Sequence, residues 1–138
     1  MSLVLDSSAT LAWVFADETT DPIRQLFERV ADDGAVVPSL WRLEVANSLT
    51  VALRRGRIDA EMRRDALADL GCLDIVVDQD TQANAWGATL DLADRFRLTV
   101  YDAAYVELAL RRGLALATLD DAMIVASRSL GLSILGAS

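Results

Sequence analysis

Residues 100–121, VYDAAYVELALRRGLALATLDD, place a helical pattern, a short apolar run and three aspartates in one segment. The pattern predicts a helix that begins at Asp102 and ends at Gly113, because glycine is typical just past a helix. Residues 114–119 are apolar enough for a buried strand, and Asp120 follows that strand directly. An aspartate at the start of a helix or the end of a strand either caps free N–H groups or binds a positive ligand. The segment therefore predicts a helix–strand unit with acids at its ends.

The same alternation of apolar runs and helical patterns extends along the whole chain. Runs that are apolar throughout fit strands buried on both faces, as in a parallel sheet. Further strands are predicted at residues 3–5, 35–38, 73–77 and 132–135, and helices at 9–15, 22–33, 40–53, 59–70, 80–96 and 122–130. The alternation predicts an α/β fold in which residues 1–138 form a single domain, with a mostly parallel sheet flanked by helices on both faces.

Four local expectations follow from the pattern. Ser39 is predicted to cap the helix that follows the second strand. Residues 80–96 are predicted to form one continuous helix with Trp86 on its apolar stripe. The single cysteine, Cys72, lies between leucines and is expected to be a buried apolar side chain. Glu107 is assigned to the exposed surface of its helix.

The composition gives no sign of a membrane or export segment. The chain has 138 residues and is 53% hydrophobic. No apolar run approaches the ~20 residues that a membrane span needs. The N-terminus has no basic region and reaches Asp6 too soon for a signal peptide. We therefore expect a cytoplasmic protein.

Residue types that are missing exclude several classes of chemistry. The chain has no histidine, one cysteine and no lysine, so all 13 basic residues are arginine. Histidine-based acid–base catalysis, Ser-His-Asp triads and multi-cysteine metal sites are excluded. Walker-type phosphate loops and Schiff-base enzymes are excluded for want of lysine. The net charge of −8 opposes nucleic-acid binding unless a divalent cation neutralises the acids locally.

Four acids are predicted to meet at one edge of the sheet. Asp6 and Asp120 follow strands, Asp102 heads the helix before the Asp120 strand, and Glu44 lies early in the helix after the second strand. Ligands of open α/β sheets bind beyond the carboxyl ends of the strands. Capping explains each aspartate singly, at ~1 kcal/mol each. Glu44 lies near an apolar helix side, where an unpaired carboxylate is costly and a divalent cation would offset the cost; Asn47, one turn later, could share that cation.

Four segments together resemble a known family. They are residues 5–8 (LDSS), 38–47 (PSLWRLEVAN), 101–105 (YDAAY) and 118–120 (TLD). In this order, and separated by matching helices, they resemble the signatures of PIN domains, and more narrowly those of VapC-type toxins from bacterial toxin–antitoxin pairs. The resemblance implies a five-stranded parallel sheet and a Mg²⁺- or Mn²⁺-dependent endoribonuclease. It also implies a VapB-type antitoxin as partner, and a homodimer.

The resemblance also assigns roles to individual residues. The implied catalytic and metal-binding acids are Asp6, Glu44, Asp102 and Asp120. The implied supporting polar residues are Ser8, Asn47 and Thr118. Asp121 is either a further, water-mediated metal ligand or only a helix cap. With no histidine, lysine or catalytic cysteine, carboxylates and a divalent metal are the means left for activating a water that attacks a phosphodiester.

Arginines and aromatic residues suggest contacts outside the acid cluster. The arginines that could contact the RNA backbone are Arg42, Arg54, Arg55 and Arg57, with Arg111 and Arg112 as a second group. Alternatively, the arginines at helix ends only keep their turns solvated. They could also lie on the side of the sheet away from the acids. The early helices carry four large apolar residues, Trp13, Phe15, Leu40 and Trp41. Some of these are expected in the core, and the others could form a groove for a partner helix.

Two other functions fit fewer of these features. One is a catalytically inactive PIN-like module that binds a partner or RNA, against which the complete set of four acids argues. The other is a phosphatase or receiver-type domain built on Asp6. The absence of lysine, and a serine rather than an acid at position 8, argue against that second alternative.

Overall fold

The computed structural model describes residues 2–137 and contains one five-stranded sheet in which every pairing is parallel. The strands are β1 (Val4–Leu5), β2 (Ala35–Val37), β3 (Ile75–Val77), β4 (Leu116–Ala117) and β5 (Ile134–Leu135). The helices are α1 (Ser7–Val14), α2 (Asp21–Asp33), α3 (Trp41–Arg54), α4 (Ala60–Gly71), α5 (Thr81–Asn84), α6 (Ala88–Phe96), α7 (Val100–Arg112) and α8 (Asp121–Ser129), with a 3-10 turn at Ala16–Glu18. The predicted α/β fold with a parallel sheet is confirmed.

The strands are short and apolar because they run through the core. Every residue of β1, β2 and β4 is buried, as expected for the inner strands of a sheet covered on both sides. The edge strand β3 is less covered, and its Val76 is 49% exposed. Among the described residues, no helix is both long and apolar enough to cross a membrane.

The strand order β3-β2-β1-β4-β5 places a topological switch point between β1 and β4. From β1 the chain first adds strands on one side of the sheet and then, from β4, on the other. Right-handed crossovers in the two directions put helices on opposite faces. At such a switch point the connections leave in opposite directions, which opens a crevice beyond the carboxyl ends of the two strands. Asp6 and Thr118 follow β1 and β4 there.

Most helix starts agree with the sequence, but the start of α3 does not. Side-chain oxygens of Asp6, Thr20, Asp59, Thr99 and Asp120 accept hydrogen bonds from backbone N–H groups in the first turns of their helices. The prediction that Ser39 caps α3 is wrong. Helix α3 begins at Trp41 after a turn, and Ser39 instead donates its backbone N–H to Thr81 Oγ1 at 3.1 Å.

The predicted single helix over residues 80–96 is two helices, α5 and α6, separated by a turn at residues 85–87. Gly87 adopts φ −117° and ψ −107°, outside the helical region, so the helical register is broken there. Trp86 is 94% exposed rather than part of the core. Thr89, Leu92 and Ala93 form the buried side of α6 instead.

Two further predictions from local pattern are wrong. Cys72 is exposed, because it follows the last residue of α4 in the turn that leads to β3. Glu107 is buried rather than on the surface. Its carboxylate accepts a hydrogen bond from Arg111 Nε at 2.8 Å, and the same guanidinium reaches Asp78 Oδ2 at 2.7 Å. An ion pair that joins the end of α7 to the end of β3 therefore compensates the buried charge.

Candidate active site

Asp6 is the most enclosed acid at the switch point. It follows β1, is 3% exposed, and caps α1 by accepting the Ala9 N–H at 2.9 Å. The Ser8 hydroxyl donates to Asp6 Oδ1 at 2.8 Å, and the Thr118 hydroxyl donates to Oδ2 at 2.5 Å. Both carboxylate oxygens are therefore held in place by neutral donors. The predicted supporting residues Ser8 and Thr118 are in direct contact with Asp6.

Hydrogen bonds across the switch point join the Asp6 loop to the Asp120 loop. Ser8 Oγ accepts the Leu119 N–H at 3.0 Å, and Thr118 Oγ1 accepts the Asp120 N–H at 3.1 Å. Asp120 in turn caps α8, because its Oδ1 accepts the Met123 N–H at 3.0 Å. Capping and membership of the acid cluster are thus compatible for Asp6 and Asp120, and capping fixes the orientation of both carboxylates.

Asp102 and Glu44 reach the same place from helices and cap nothing. Thr99 caps α7 by accepting the Asp102 N–H at 3.1 Å, so the prediction that α7 begins at Asp102 is wrong by two residues. The partly exposed Asp102 carboxylate is free of any capping role. Glu44 lies in the first turn of α3, where its Oε1 accepts the Tyr105 hydroxyl at 2.5 Å.

Asp102 interacts electrostatically with each of the other three acids. Burial raises the pKa of Asp6 from 3.8 to about 6, and the charge of Asp102 adds to the rise. Burial likewise raises the pKa of Glu44, with a further contribution from Asp102. The pKa of Asp102 is raised by burial and then by the charge of Asp120. Asp6, Glu44 and Asp102 are therefore harder to ionise, first because they are buried and then because another acid is near.

No guanidinium neutralises this cluster within residues 2–137. The ion pairs of the described chain involve other acids, and the buried Asp78 shows the contrast. Although burial raises the pKa of Asp78, hydrogen bonds from Arg111 and Arg112 lower it, to about 2. Asp6 and Glu44 receive only O–H and N–H donors, which orient a carboxylate without cancelling its charge. Among the described residues, arginines pair with the buried Asp78 and Glu107, whereas none pairs with the four acids of the cluster.

The donor set fits a hydrated divalent cation better than a closed protein cage. All four side chains offer carboxylate oxygens, the ligands that Mg²⁺ and Mn²⁺ prefer. Across residues 2–137, no three acidic, histidine or cysteine side chains lie close enough to enclose an ion directly. Mg²⁺ usually keeps several waters and binds through one or two carboxylates, so such an arrangement suits it.

The remaining predicted polar residues lie at the margin. Asn47 is exposed one helical turn after Glu44 on α3, on nearly the same side of the helix. Asp121 is exposed at the first residue of α8. Since Asp120 provides the cap, the interpretation of Asp121 as the helix cap is wrong. A metal role for Asp121 stays a prediction.

The predicted RNA-contacting arginines are not brought to the acids. Arg42 lies two residues before Glu44, which places it about 200° around the helix. It borders a cavity against α4. Arg54 and Arg55 follow Glu44 by ten and eleven residues, about 15 Å along the axis of α3. Arg57 stacks on the Phe15 ring at 3.9 Å and pairs with acids of the 3-10 turn. RNA contacts by these four arginines stay a prediction.

Sequence reasoning missed three residues that support the cluster. The buried Tyr105 holds Glu44, and burial, followed by that hydrogen bond, raises the pKa of its phenol far above the usual value. Trp41 Nε1 donates to Thr10 Oγ1 at 3.1 Å, and Thr10 Oγ1 donates to the Asp6 carbonyl at 2.7 Å. A tyrosine inside the apolar run after Asp102 was the available signal, because a buried phenol needs an acceptor.

Most of the chain, including all four acids, matches a known family. The model of the PIN domain matches residues 3–128. The chain belongs to the PIN-domain family. Ribonuclease VapC3 of Pyrobaculum aerophilum is 31% identical over 120 residues, which cover 87% of this chain and 90% of that protein. The predicted assignment to VapC-type PIN domains is confirmed.

A solved structure supports the PIN fold independently. The crystal structure of PAE2754 from Pyrobaculum aerophilum superposes with a TM-score of 0.71 at 23% sequence identity. The match covers 97% of this chain and 83% of that one. The five-stranded parallel sheet is therefore the PIN-domain sheet, and the acid cluster lies at its switch point.

Proposed function

We propose that this protein is the toxin of a type II toxin–antitoxin pair and acts as a metal-dependent endoribonuclease in the cytoplasm. The observation that supports the proposal most is that Asp102 is electrostatically coupled to Asp6, Glu44 and Asp120, and that no arginine of the described chain pairs with any of the four. The similarity to a protein named Ribonuclease VapC3 supports the choice of RNA as the substrate.

The residues that would hold Mg²⁺ or Mn²⁺ are Asp6, Glu44, Asp102 and Asp120. A bound divalent cation would offset charge on the phosphate and lower the pKa of a coordinated water. Asp6 and Asp120 are fixed by their capping bonds and would form the rigid part of the site. Asp102 is partly exposed and hydrogen-bonds the Thr99 side chain, so its carboxylate is accessible to an ion.

The chain's own groups would move the proton. Asp6 is too enclosed to meet a solvent water, whereas Glu44 and Asp102 are partly exposed. The pKa of each is raised by burial and by a neighbouring acid, which brings a carboxylate closer to the pKa of an effective general base. We assign proton acceptance from the attacking water to this pair.

Cleavage of a fluorescently labelled RNA with the variant Asp102→Asn tests the proposal. The variant removes one charge without removing a helix cap, so the fold should persist. We expect the cleavage rate to fall more than about 100-fold. Loss of a residue that only hydrogen-bonds to a metal ligand usually costs about 10- to 100-fold, and Asp102 is proposed to be a ligand itself. Chelation of divalent cations should abolish cleavage by the parent. Asp94→Asn is the matched control, because it changes an exposed aspartate on α6 that is outside the acid cluster, and it should retain most activity.

The inactive PIN-like module remains the second candidate, because no three acids converge closely within the described chain. It predicts RNA or partner binding without cleavage, and equal behaviour of the parent and Asp102→Asn in every assay. Failure of the parent to cleave any transcript or to bind Mn²⁺ would favour that module over the nuclease.

A groove beside α4 is our proposed docking site for a VapB-type antitoxin. It has a volume of about 650 Å³ and is lined by Trp13 and Phe15 from the end of α1, and by Met62 from α4. Asp65 and Asp69 add negative charge to its α4 wall. A partner helix with apolar and basic residues would complement the groove. A short DNA-binding protein encoded immediately upstream of the gene would be the candidate to test, and its binding should weaken in Met62→Glu while RNA cleavage is retained.

A homodimer is proposed from exposed apolar side chains. Leu43, Trp86, Tyr101 and Val125 are all large and more than half exposed. Such residues are depleted on surfaces that stay in water and enriched at interfaces. Light scattering of the purified protein should give twice the mass of one chain, and a monomer at micromolar concentration would contradict the proposal.

A further inference from the structure

Tyr105 lies on the same face of α7 as Asp102. Tyr105 follows Asp102 by three positions, so the two side chains are neighbours about one turn apart on the helix. Tyr105 is 1% exposed, and its hydroxyl donates to Glu44 Oε1 at 2.5 Å. Helix α7 thus supplies one acid of the cluster directly and the hydrogen-bond partner of a second acid from α3.

The contact fixes Glu44 without neutralising it. Glu107, two residues after Tyr105 on α7, shows the alternative, since its carboxylate is bound by the guanidinium of Arg111. A phenol is a neutral donor with one proton to give. It therefore holds the carboxylate without cancelling its charge. The Ser7 hydroxyl that also hydrogen-bonds Glu44 is neutral as well, so the carboxylate stays negative and can bind a cation.

A buried phenol requires some acceptor, and that requirement alone would explain a hydrogen bond. A backbone carbonyl or a glutamine oxygen would satisfy it without bringing a charge out of water. A carboxylate in this place has a desolvation cost that a neutral acceptor avoids. A carboxylate is nevertheless expected here if Glu44 must be held in one orientation and remain able to bind a cation, because a neutral acceptor would bind a cation less strongly.

We propose that Tyr105 is a positioning residue for the divalent cation, holding the Glu44 carboxylate in the orientation in which it would bind the ion. The inference rests on the proposed metal-dependent function. It places Tyr105 outside the group that contacts substrate or metal, and its effect passes through Glu44 alone.

The test measures Mn²⁺ binding to the purified full chain by electron paramagnetic resonance, in the absence of RNA. Tyr105→Phe keeps the buried ring and removes the hydroxyl. We expect Mn²⁺ affinity to fall about 10- to 100-fold, as for other partners of metal ligands. Tyr101→Phe is the matched control, because it removes the hydroxyl of an exposed tyrosine one turn earlier on the same helix, and should bind Mn²⁺ as the parent does.

Glu44→Gln decides whether the effect passes through Glu44. Adding Tyr105→Phe to Glu44→Gln should cause no further loss of Mn²⁺ affinity, whereas an undiminished second loss would overturn the inference. Equal Mn²⁺ affinity of the parent and a folded Tyr105→Phe would overturn the inference and leave the nuclease proposal standing. If the parent itself binds no Mn²⁺, both are overturned. Circular dichroism of each variant confirms that the chain is folded.

Discussion

Replacing Asp6 by asparagine should stabilise the metal-free protein at neutral pH while abolishing RNA cleavage. Asp6 is 3% exposed, and burial raises the pKa of its carboxyl from 3.8 to about 6. A shift of this size corresponds to about 3 kcal/mol of native-state free energy that is lost when the carboxyl ionises. Asparagine has nearly the same shape and never ionises, so the variant avoids that loss.

The sign of the pH dependence is set by the direction of the shift. A carboxyl with a raised native pKa favours the folded state below the unfolded value of 3.8, and this contribution is lost as pH rises through about 6. The stability of Asp6→Asn relative to the parent should therefore grow by about 2 kcal/mol between pH 4.5 and pH 7.5. At neutral pH we expect a net gain of about 2 kcal/mol, after allowing about 1 kcal/mol for a weaker hydrogen-bond set.

Rearrangement of the neighbouring hydroxyls makes the substitution tolerable. Ser8 Oγ and Thr118 Oγ1 are 3.4 Å apart, so one can donate to the other once the acceptor is reduced to a single oxygen. The asparagine oxygen can still accept the Ala9 N–H and retain the cap of α1. The native fold of the variant is therefore expected to match that of the parent.

The assay is urea unfolding at pH 4.5 and pH 7.5 with a chelator present, monitored by circular dichroism. Asp121→Asn serves as the control, because it makes the same chemical change at an exposed aspartate. Adding Mn²⁺ should narrow the gap between Asp6→Asn and the parent, since the ion stabilises the native state that binds it better. A stability difference that is flat between the two pH values would refute the reasoning.

Three other perturbations have defined outcomes. Arg111→Ala should lower the free energy of unfolding by about 3 kcal/mol in urea titrations, because the buried charge of Asp78 loses one of its ion-pair partners. In the parent, the stability that the ionised Asp78 contributes should be lost as pH falls from about 4 towards 2, since the pKa of that carboxyl is lowered. Thr118→Val should reduce Mn²⁺ affinity about 10-fold or more by removing the hydroxyl that holds Asp6, and unchanged affinity would contradict that role. Trp86→Ser should change the thermal unfolding free energy of the monomer by less than about 0.5 kcal/mol, because the side chain is 94% exposed.

The fold and the clustered acids were accessible from sequence because both depend on strand ends. Runs such as residues 3–5 are apolar on every side, so they could only be buried strands, and residues just past the ends of parallel strands share one edge of the sheet. Asp6 and Asp120 were placed correctly for this reason. The start of α7 was displaced to Asp102 because aspartate and threonine both cap helices and the sequence offers both.

The errors share a physical cause, which is a partner distant in sequence. Glu107 can be buried because Arg111 forms an ion pair with it and with the remote Asp78. Helical spacing carries no information about Asp78. Trp86 points to solvent because Gly87 breaks the helix, whereas its hydrophobicity alone favoured burial. The Tyr105 contact with Glu44 spans 61 positions, and only the packing of α7 against α3 reveals it.

The hydrogen bond between Thr118 and Asp6 has a consequence during translation. Thr118 is synthesised 112 residues after Asp6, and β4 must pair with β1 before the two side chains can meet. A nascent chain that stops short of Thr118 lacks both that donor and Asp120. Its Asp6 then has no neighbouring strand on the β4 side and no complete acid cluster around it. Premature termination of this message therefore releases no fragment with the proposed ribonuclease activity.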